Sequence, residues 1–225
     1  MKVLIYSGNS IEYIYSFVNS MDFLSQIFFF LVLVPSAILH EYMHGFVADK
    51  LGDPTARYAG RLTLDPRVHI DPIGSILLPV GLFLMSGGNF MFAYAKPVPY
   101  NPYNLKNQKW GPVAVAVAGP LSNFLLAFIF GLILQFFPFS GMTTFLSIIV
   151  IANITLGVFN LVPIPPLDGS KVLLAVLPDS LHNVRVMLEK YGFVLLIVFM
   201  LFFFRLLHPI IEFLFVLFTG GFLMN

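Results

Sequence analysis

Four apolar stretches, each long enough to cross a bilayer as a helix, constrain this chain more than any other feature. They cover residues 21–50, 111–137, 143–162 and 191–218, the last interrupted by Arg205, His208 and Pro209. A membrane helix needs about 20 mostly apolar residues. Asp, Glu, Lys and Arg make up only 10% of the 225 residues, against roughly 25% in soluble domains, too few to cover a water-facing surface. The sequence predicts an all-α polytopic membrane protein with the lipid bilayer as its solvent. It reads as a single domain over residues 1–225, with a core at about 21–178 and a peripheral C-terminal helix at about 191–218. There is no cysteine, so disulfides and thiolate metal sites are excluded. There is no concentrated basic patch, so nucleic acid is not an expected partner. Residues 1–20 carry Glu12 and several Asn and Ser, which does not read as a cleavable leader.

Two apolar pieces are too short to span. Residues 73–85 lie between Asp71-Pro72 and Gly87-Gly88, and residues 172–177 end at Pro178. Pieces of this length are re-entrant or buried more often than spanning, and residues 73–85 are read as a re-entrant segment. The stretch 94–102 contains Pro97, Pro99 and Pro102 and reads as extended chain or an irregular hairpin. With 73–85 re-entrant, Lys50, Arg57, Arg61, Arg67, Lys96, Lys106, Lys109, Lys171, Arg185 and Lys190 share one side, and the turn 138–142 opposite has no basic residue. The positive-inside rule makes the basic side cytoplasmic. No internal repeat of the kind used by many transporters is visible.

The sharpest chemical feature is His40-Glu41-Tyr42-Met43-His44. Residues four apart share a helix face, so both imidazoles can reach one ion. Glu41 then stands beside them, placed to take a proton from a metal-bound water. His40 and His44 lie roughly 15 and 9 Å along the helix from Lys50, at 1.5 Å per residue. An ionisable group inside a membrane helix is expensive and functional by default. The alternative is a polar group satisfied by neighbouring helices.

A catalytic zinc usually has three protein ligands and an open position. Without cysteine the third must be His, Asp or Glu. Asp168 follows Pro163, Pro165 and Pro166, which break the helix after the third span. Irregular backbone at membrane depth is tolerated where it is buried in protein or lines a polar cavity, and an acid there suits a metal site. Asp168 could instead cap a helix starting near Ser170. Among the rivals, His69 and Asp71 could support the site, or Asp71 could be a turn residue. His208 and Glu212, four apart, read as a helical contact, and His182 reads as solvated. Asn123, Asn153 and Asn160 are membrane-level amides. Packing between helices is their default role, although Asn160, at the start of the broken segment, could bind a substrate backbone or an oxyanion.

Taken together, His40-Glu-Tyr-Met-His44-Gly45, Gly119-Pro120-Leu-Ser-Asn123 and Asn160-x-x-Pro-x-Pro-x-Leu-Asp168-Gly169 resemble, in order and spacing, the three membrane motifs of the site-2 protease family of intramembrane zinc metalloproteases. The likeness covers about residues 33–176. Gly60-Arg-Leu-Thr-Leu-Asp-Pro and Ala95-Lys-Pro-Val-Pro look like its compact prokaryotic branch, with no room for a PDZ domain between the second and third spans. The resemblance implies three membrane helices around one zinc ion per chain, with a short membrane-associated β-hairpin region between the first two. It implies His40, His44 and Asp168 as ligands, Glu41 as the base, and Asn160 and residues 96–103 in contact with substrate. It implies hydrolysis of a peptide bond within or near a transmembrane helix of another protein, in a prokaryotic plasma membrane, with the site nearer the cytoplasm. A zinc or proton transporter using the same ligands is the competing reading, disfavoured by the missing repeat and the few polar residues in the other spans. The sequence leaves the oligomeric state open.

Overall fold

A computed structural model of the chain describes residues 23–85, 95–137 and 141–221. The expectations for residues 1–20, for Gly87-Gly88 and for most of the turn 138–142 lie outside the described residues. Among the described residues, four helices are long and apolar enough to cross a membrane: Ile27–Lys50, Gly111–Phe136, Thr143–Asn160 and His182–Thr219. They match the four stretches read from the sequence, except that the last begins nine residues earlier than expected. Residues 73–85 are not among them.

Helix α1 (Phe23–Lys50) carries the His40–His44 motif and contains Pro35. A short α2 (Thr55–Tyr58) follows. Pro72–Leu77 forms a π-helical turn that continues into α3 (Leu78–Met85). Fourteen residues at 1.5 Å each reach about 21 Å, short of the roughly 30 Å hydrocarbon layer. Asp71 settles as the cap of this piece, its Oδ1 accepting from the N–H groups of Ile73 and Gly74 at 3.0 and 2.7 Å. Helix α4 (Gly111–Phe136) contains Pro120, and α5 (Thr143–Asn160) ends where the proline-rich segment begins. After that segment come α6 (Gly169–Val176) and α7 (His182–Val198). The chain then runs through a π turn, Phe199–Phe203, and a 3-10 turn, Phe204–Leu207, into α8 (His208–Thr219). Pro209 accounts for the break. It has no N–H for the Arg205 carbonyl and its ring crowds that carbonyl, so the ladder widens and then tightens just before it.

Helices α1, α4 and α5 form the core of the bundle. His40 meets Asn123, and His44 meets Val115, so α1 and α4 run antiparallel. Asn123 meets Asn153, which ties α4 to α5. An apolar cluster on the far side of α4 and α5 joins Ala127, Val150, Ile151, Ile154 and Val158 to Leu196, Leu207, Ile211 and Phe215. The C-terminal span therefore packs against α4 and α5 through this cluster. A smaller cluster of Ala48, Leu105 and Val115 seats the loop before α4 against the end of α1. Buried Asp53 pins the same loop, accepting from Thr55, the Asn101 N–H and the Asn104 amide.

The described residues contain no strand. Residues 95–101 are irregular and non-helical, followed by a 3-10 turn at Pro102–Asn104. Pro97 and Pro99 lack the N–H a ladder needs. The Lys96 N–H goes instead to the His69 carbonyl at 2.8 Å, and the Val98 N–H goes to a side chain on α1.

Candidate metal centre

The site is assembled from three separate elements. Helical spacing on α1 puts the rings of His40 and His44 side by side, with centroids 4.6 Å apart. The segment after α5 brings Asp168 to them. His40 Nε2 lies 3.0 Å and His44 Nε2 3.2 Å from the same atom, Asp168 Oδ2. Among the described residues, these three form a group whose ligand atoms lie within 4.8 Å of one another. His69, His182, His208 and Glu212 belong to no such group. Both histidines are buried, while the Asp168 side chain is 21% exposed, so this flank is the open side of the site.

Asp168 occupies the N-cap position of α6 but makes no side-chain cap bond. Its carboxylate faces the histidines, so the capping alternative is not adopted. The close fold-back depends on its neighbour: a Cβ on Gly169 would lie 2.1 Å from the Leu161 carbonyl oxygen.

The outer nitrogens of the two rings fix their protonation. His44 Nδ1 is 2.7 Å from the Val115 carbonyl, which can only accept, so Nδ1 carries the proton. His40 Nδ1 is 2.7 Å from Asn123 Oδ1. The Asn123 amide nitrogen donates to the Ser36 carbonyl and to Asn153 Oδ1, and Asn153 in turn donates to the Ile149 carbonyl. That chain ends on a carbonyl, so every member has a determined direction and His40 Nδ1 must also donate. On a ring that carries its single proton at Nδ1, the Nε2 lone pair points at a carboxylate oxygen. Two nitrogen lone pairs at 3.0 and 3.2 Å from one carboxylate oxygen are repelled by it unless a cation or extra protons lie between them. A divalent zinc ion suits this donor set.

Helix α4 leaves space at the same point. A Cβ on Gly119 would stand 2.5 Å from His44 Nε2 and 2.6 Å from His40 Nε2, so only a glycine permits α4 to pass this close to the two imidazoles. Pro120 follows, and Ser122 Oγ donates to the Gly119 carbonyl at 2.7 Å.

Glu41 lies beside the group and is half-buried. Its Oε2 accepts from the Val98 N–H at 2.8 Å, and its Oε1 has no partner among the described residues. Asn160 is not brought into the metal group. Its amide nitrogen donates to the Leu156 carbonyl at 2.9 Å, one turn back on its own helix, and leaves the side-chain carbonyl available. His69 is buried, bonded through Nε2 to the Thr63 carbonyl at 2.8 Å, and serves the loop. His182 is exposed at the start of α7.

Three residues that support the ligands were not assigned to the site from sequence: Asn123, Asn153 and Gly119. A signal for the first was present. Each metal-binding histidine needs an acceptor for its second nitrogen, and few side-chain acceptors lie at membrane depth. Replacing Asn123 with Leu should lower zinc affinity or activity by about 10–100-fold, the usual effect of losing such a partner. Zinc titration against a competing chelator would measure it.

The sequence model of Peptidase family M50 matches residues 28–140 and 137–204, a range that holds every residue of this centre. The chain belongs to peptidase family M50. The M50 chain is 37% identical over 178 residues to "Putative zinc metalloprotease YwhC" of Bacillus subtilis, covering 75% of this chain and 77% of that protein. It is 31% identical over 170 residues to "Putative zinc metalloprotease Rip2" of Mycolicibacterium smegmatis, covering 72% and 62%. It is 28% identical over 165 residues to "Zinc metalloprotease MJ0392" of Methanocaldococcus jannaschii, covering 73% of this chain but 35% of that protein. No solved structure matches. The resemblance to site-2 proteases therefore holds. Family and relatives support a zinc metalloprotease, and the four apolar helices support a multi-pass membrane protein.

Proposed function

We propose that this M50 protein is an intramembrane zinc endopeptidase that hydrolyses a peptide bond within or near a transmembrane helix of another membrane protein. The observation that carries the reading is the convergence of two bare imidazole nitrogens and one carboxylate oxygen beside Glu41, on a helix long and apolar enough to span. His40, His44 and Asp168 hold one zinc ion per chain. The ion, when bound, polarises the scissile carbonyl and brings the pKa of its water to about 7.

The protein's own groups do the rest. Asn123 and the Val115 carbonyl hold the imidazoles in the tautomer that leaves Nε2 bare. Glu41 takes a proton from the attacking water through Oε1 and delivers it to the departing amine. A substrate helix hides its carbonyls in its own hydrogen bonds, so it must unwind before one can be attacked. The non-helical chain at 95–101 is the surface for the unwound strand. The side-chain carbonyl of Asn160, whose amide nitrogen is spent on Leu156, is the acceptor proposed for the substrate backbone. The basic residues support a cytoplasmic side for the flank by Asp168, from which water would enter.

The test is Glu41→Gln, with cleavage of a model transmembrane peptide in reconstituted membranes and zinc content measured on the same samples. Cleavage should vanish while one zinc per chain remains. Turnover by the variant at the wild-type rate would remove Glu41 from the mechanism. Zinc movement into liposomes without any peptide cleavage would favour the transporter reading.

A further inference from the structure

We propose that the Val98 backbone N–H is a positioning group for the catalytic base, and that the loop 61–69 exists at this point to hold it there. The inference rests on the reading of Glu41 as the base.

Val98 is far from Glu41 in sequence, yet its N–H meets Glu41 Oε2 at 2.8 Å. Three independent contacts fix that N–H. The preceding residue, Pro97, and the Lys96 before it are held by Arg61, whose Nη2 donates to the Lys96 carbonyl at 2.9 Å and to the Pro97 carbonyl at 3.3 Å. On its other edge, the Lys96 N–H donates to the His69 carbonyl at 2.8 Å. The Val98 side chain is buried, 6% exposed, in a hollow formed at Gly45: a Cβ there would lie 2.8 Å from Val98 Cγ1, 3.1 Å from Ala56 Cβ and 3.4 Å from Leu62 Cδ1. The glycine directly after His44 thus lets the segment approach α1 closely enough for the bond to form. Pro97 and Pro99 limit the segment's freedom on both sides.

The consequence is geometric. A glutamate has several rotatable bonds, and a base must sit within hydrogen-bond reach of the proton it takes. One backbone donor on Oε2 holds the carboxylate plane and leaves Oε1 as the proton acceptor. A segment serving substrate docking alone has no need to place an N–H on this oxygen.

Two substitutions separate the N–H from the side chain. Val98→Pro removes the donor together with the buried valine side chain. Val98→Ala keeps the donor and trims the packing. The assay is cleavage of a model transmembrane peptide by the zinc-loaded full chain, with kcat and KM resolved and zinc content recorded. Val98→Pro should lower kcat by about 10–100-fold, the range for a partner of an active group, with one zinc per chain and no larger change in KM than Val98→Ala shows. Val98→Ala should keep the wild-type kcat, with any loss confined to KM because residue 98 lies in the segment that docks substrate. Should Val98→Pro fail to fold or to hold zinc, Arg61→Met provides the same readout by releasing the Lys96 and Pro97 carbonyls: kcat falls, KM holds, and Arg61→Lys recovers part of the loss. A wild-type or raised kcat in Val98→Pro would overturn the proposal, as would an equal loss of kcat in Val98→Ala. For Arg61→Met, an unchanged kcat or a change in KM alone would overturn it equally. If Glu41→Gln is inactive while these variants keep their kcat, the positioning role alone fails. If Glu41→Gln turns over, the base assignment itself fails.

Discussion

Gly119→Ala should leave a folded membrane protein without zinc and without detectable proteolysis. The added methyl would lie 2.5 and 2.6 Å from the two coordinating nitrogens and 2.6 Å from His44 Cε1, well inside van der Waals contact. No cheap relief exists. Turning either ring away breaks its Nδ1 bond to Asn123 or to the Val115 carbonyl, and a buried orphaned donor costs about 1–3 kcal/mol. Moving α4 outward separates Asn123 from Ser36 and Asn153 and opens the bundle at its closest point. The variant should therefore be stable enough to purify and measure, with the strain concentrated at the metal site. Zinc content by elemental analysis should fall from one per chain to near zero. Leu121→Ala, on the exposed face of the same helix at 59% exposure, should bind zinc as the wild type does. A zinc-replete, active Gly119→Ala would mean that the ion is not held where these nitrogens converge.

Asp168→Asn has the second largest expected effect, and it distinguishes a ligand from a cap. The substitution nearly preserves shape, and Asn is as good an N-cap as Asp. Since the Asp168 side chain makes no cap bond, α6 should be unaffected and the metal-free protein should remain folded. The carboxylate facing His40 and His44 disappears, however. Losing a partner of a ligand typically costs 10–100-fold in metal affinity, so losing a ligand should exceed about 100-fold. Zinc affinity and peptide cleavage should fall together while the metal-free fold persists. Retained zinc affinity in this variant would remove Asp168 from the ligand set.

The parts of this site governed by local periodicity could be read from sequence. His40 and His44 follow from helical spacing, and the four spans follow from the length of the apolar runs. Asp168 was reachable because prolines at membrane depth demand a reason. What the sequence did not reveal was relational. Asn123 looks like any membrane amide until α4 is known to pass α1 antiparallel, and the reason for Gly119 appears only once the imidazoles are placed beside it. The Val98 N–H could not be foreseen, because a backbone donor carries no sequence signature. Residues 95–101 were read correctly as non-helical. Their expected hairpin pairing is absent from the described residues because two of the seven are prolines and the Lys96 and Val98 donors go to His69 and Glu41. The wide turn before Pro209 followed from the proline, whereas the start of the last span nine residues early did not, since Arg185, Glu189 and Lys190 hide a helix that hydropathy alone would end.

Zinc X-ray absorption on the purified wild-type protein, with metal content measured on the same sample, tests the central claim most directly. A centre built by His40, His44 and Asp168 predicts one zinc per chain with two imidazoles and the remaining ligands oxygen, at roughly 2.0–2.2 Å. A third imidazole, drawn from the other three histidines of the five in the chain, or no stoichiometric zinc at all, would contradict it.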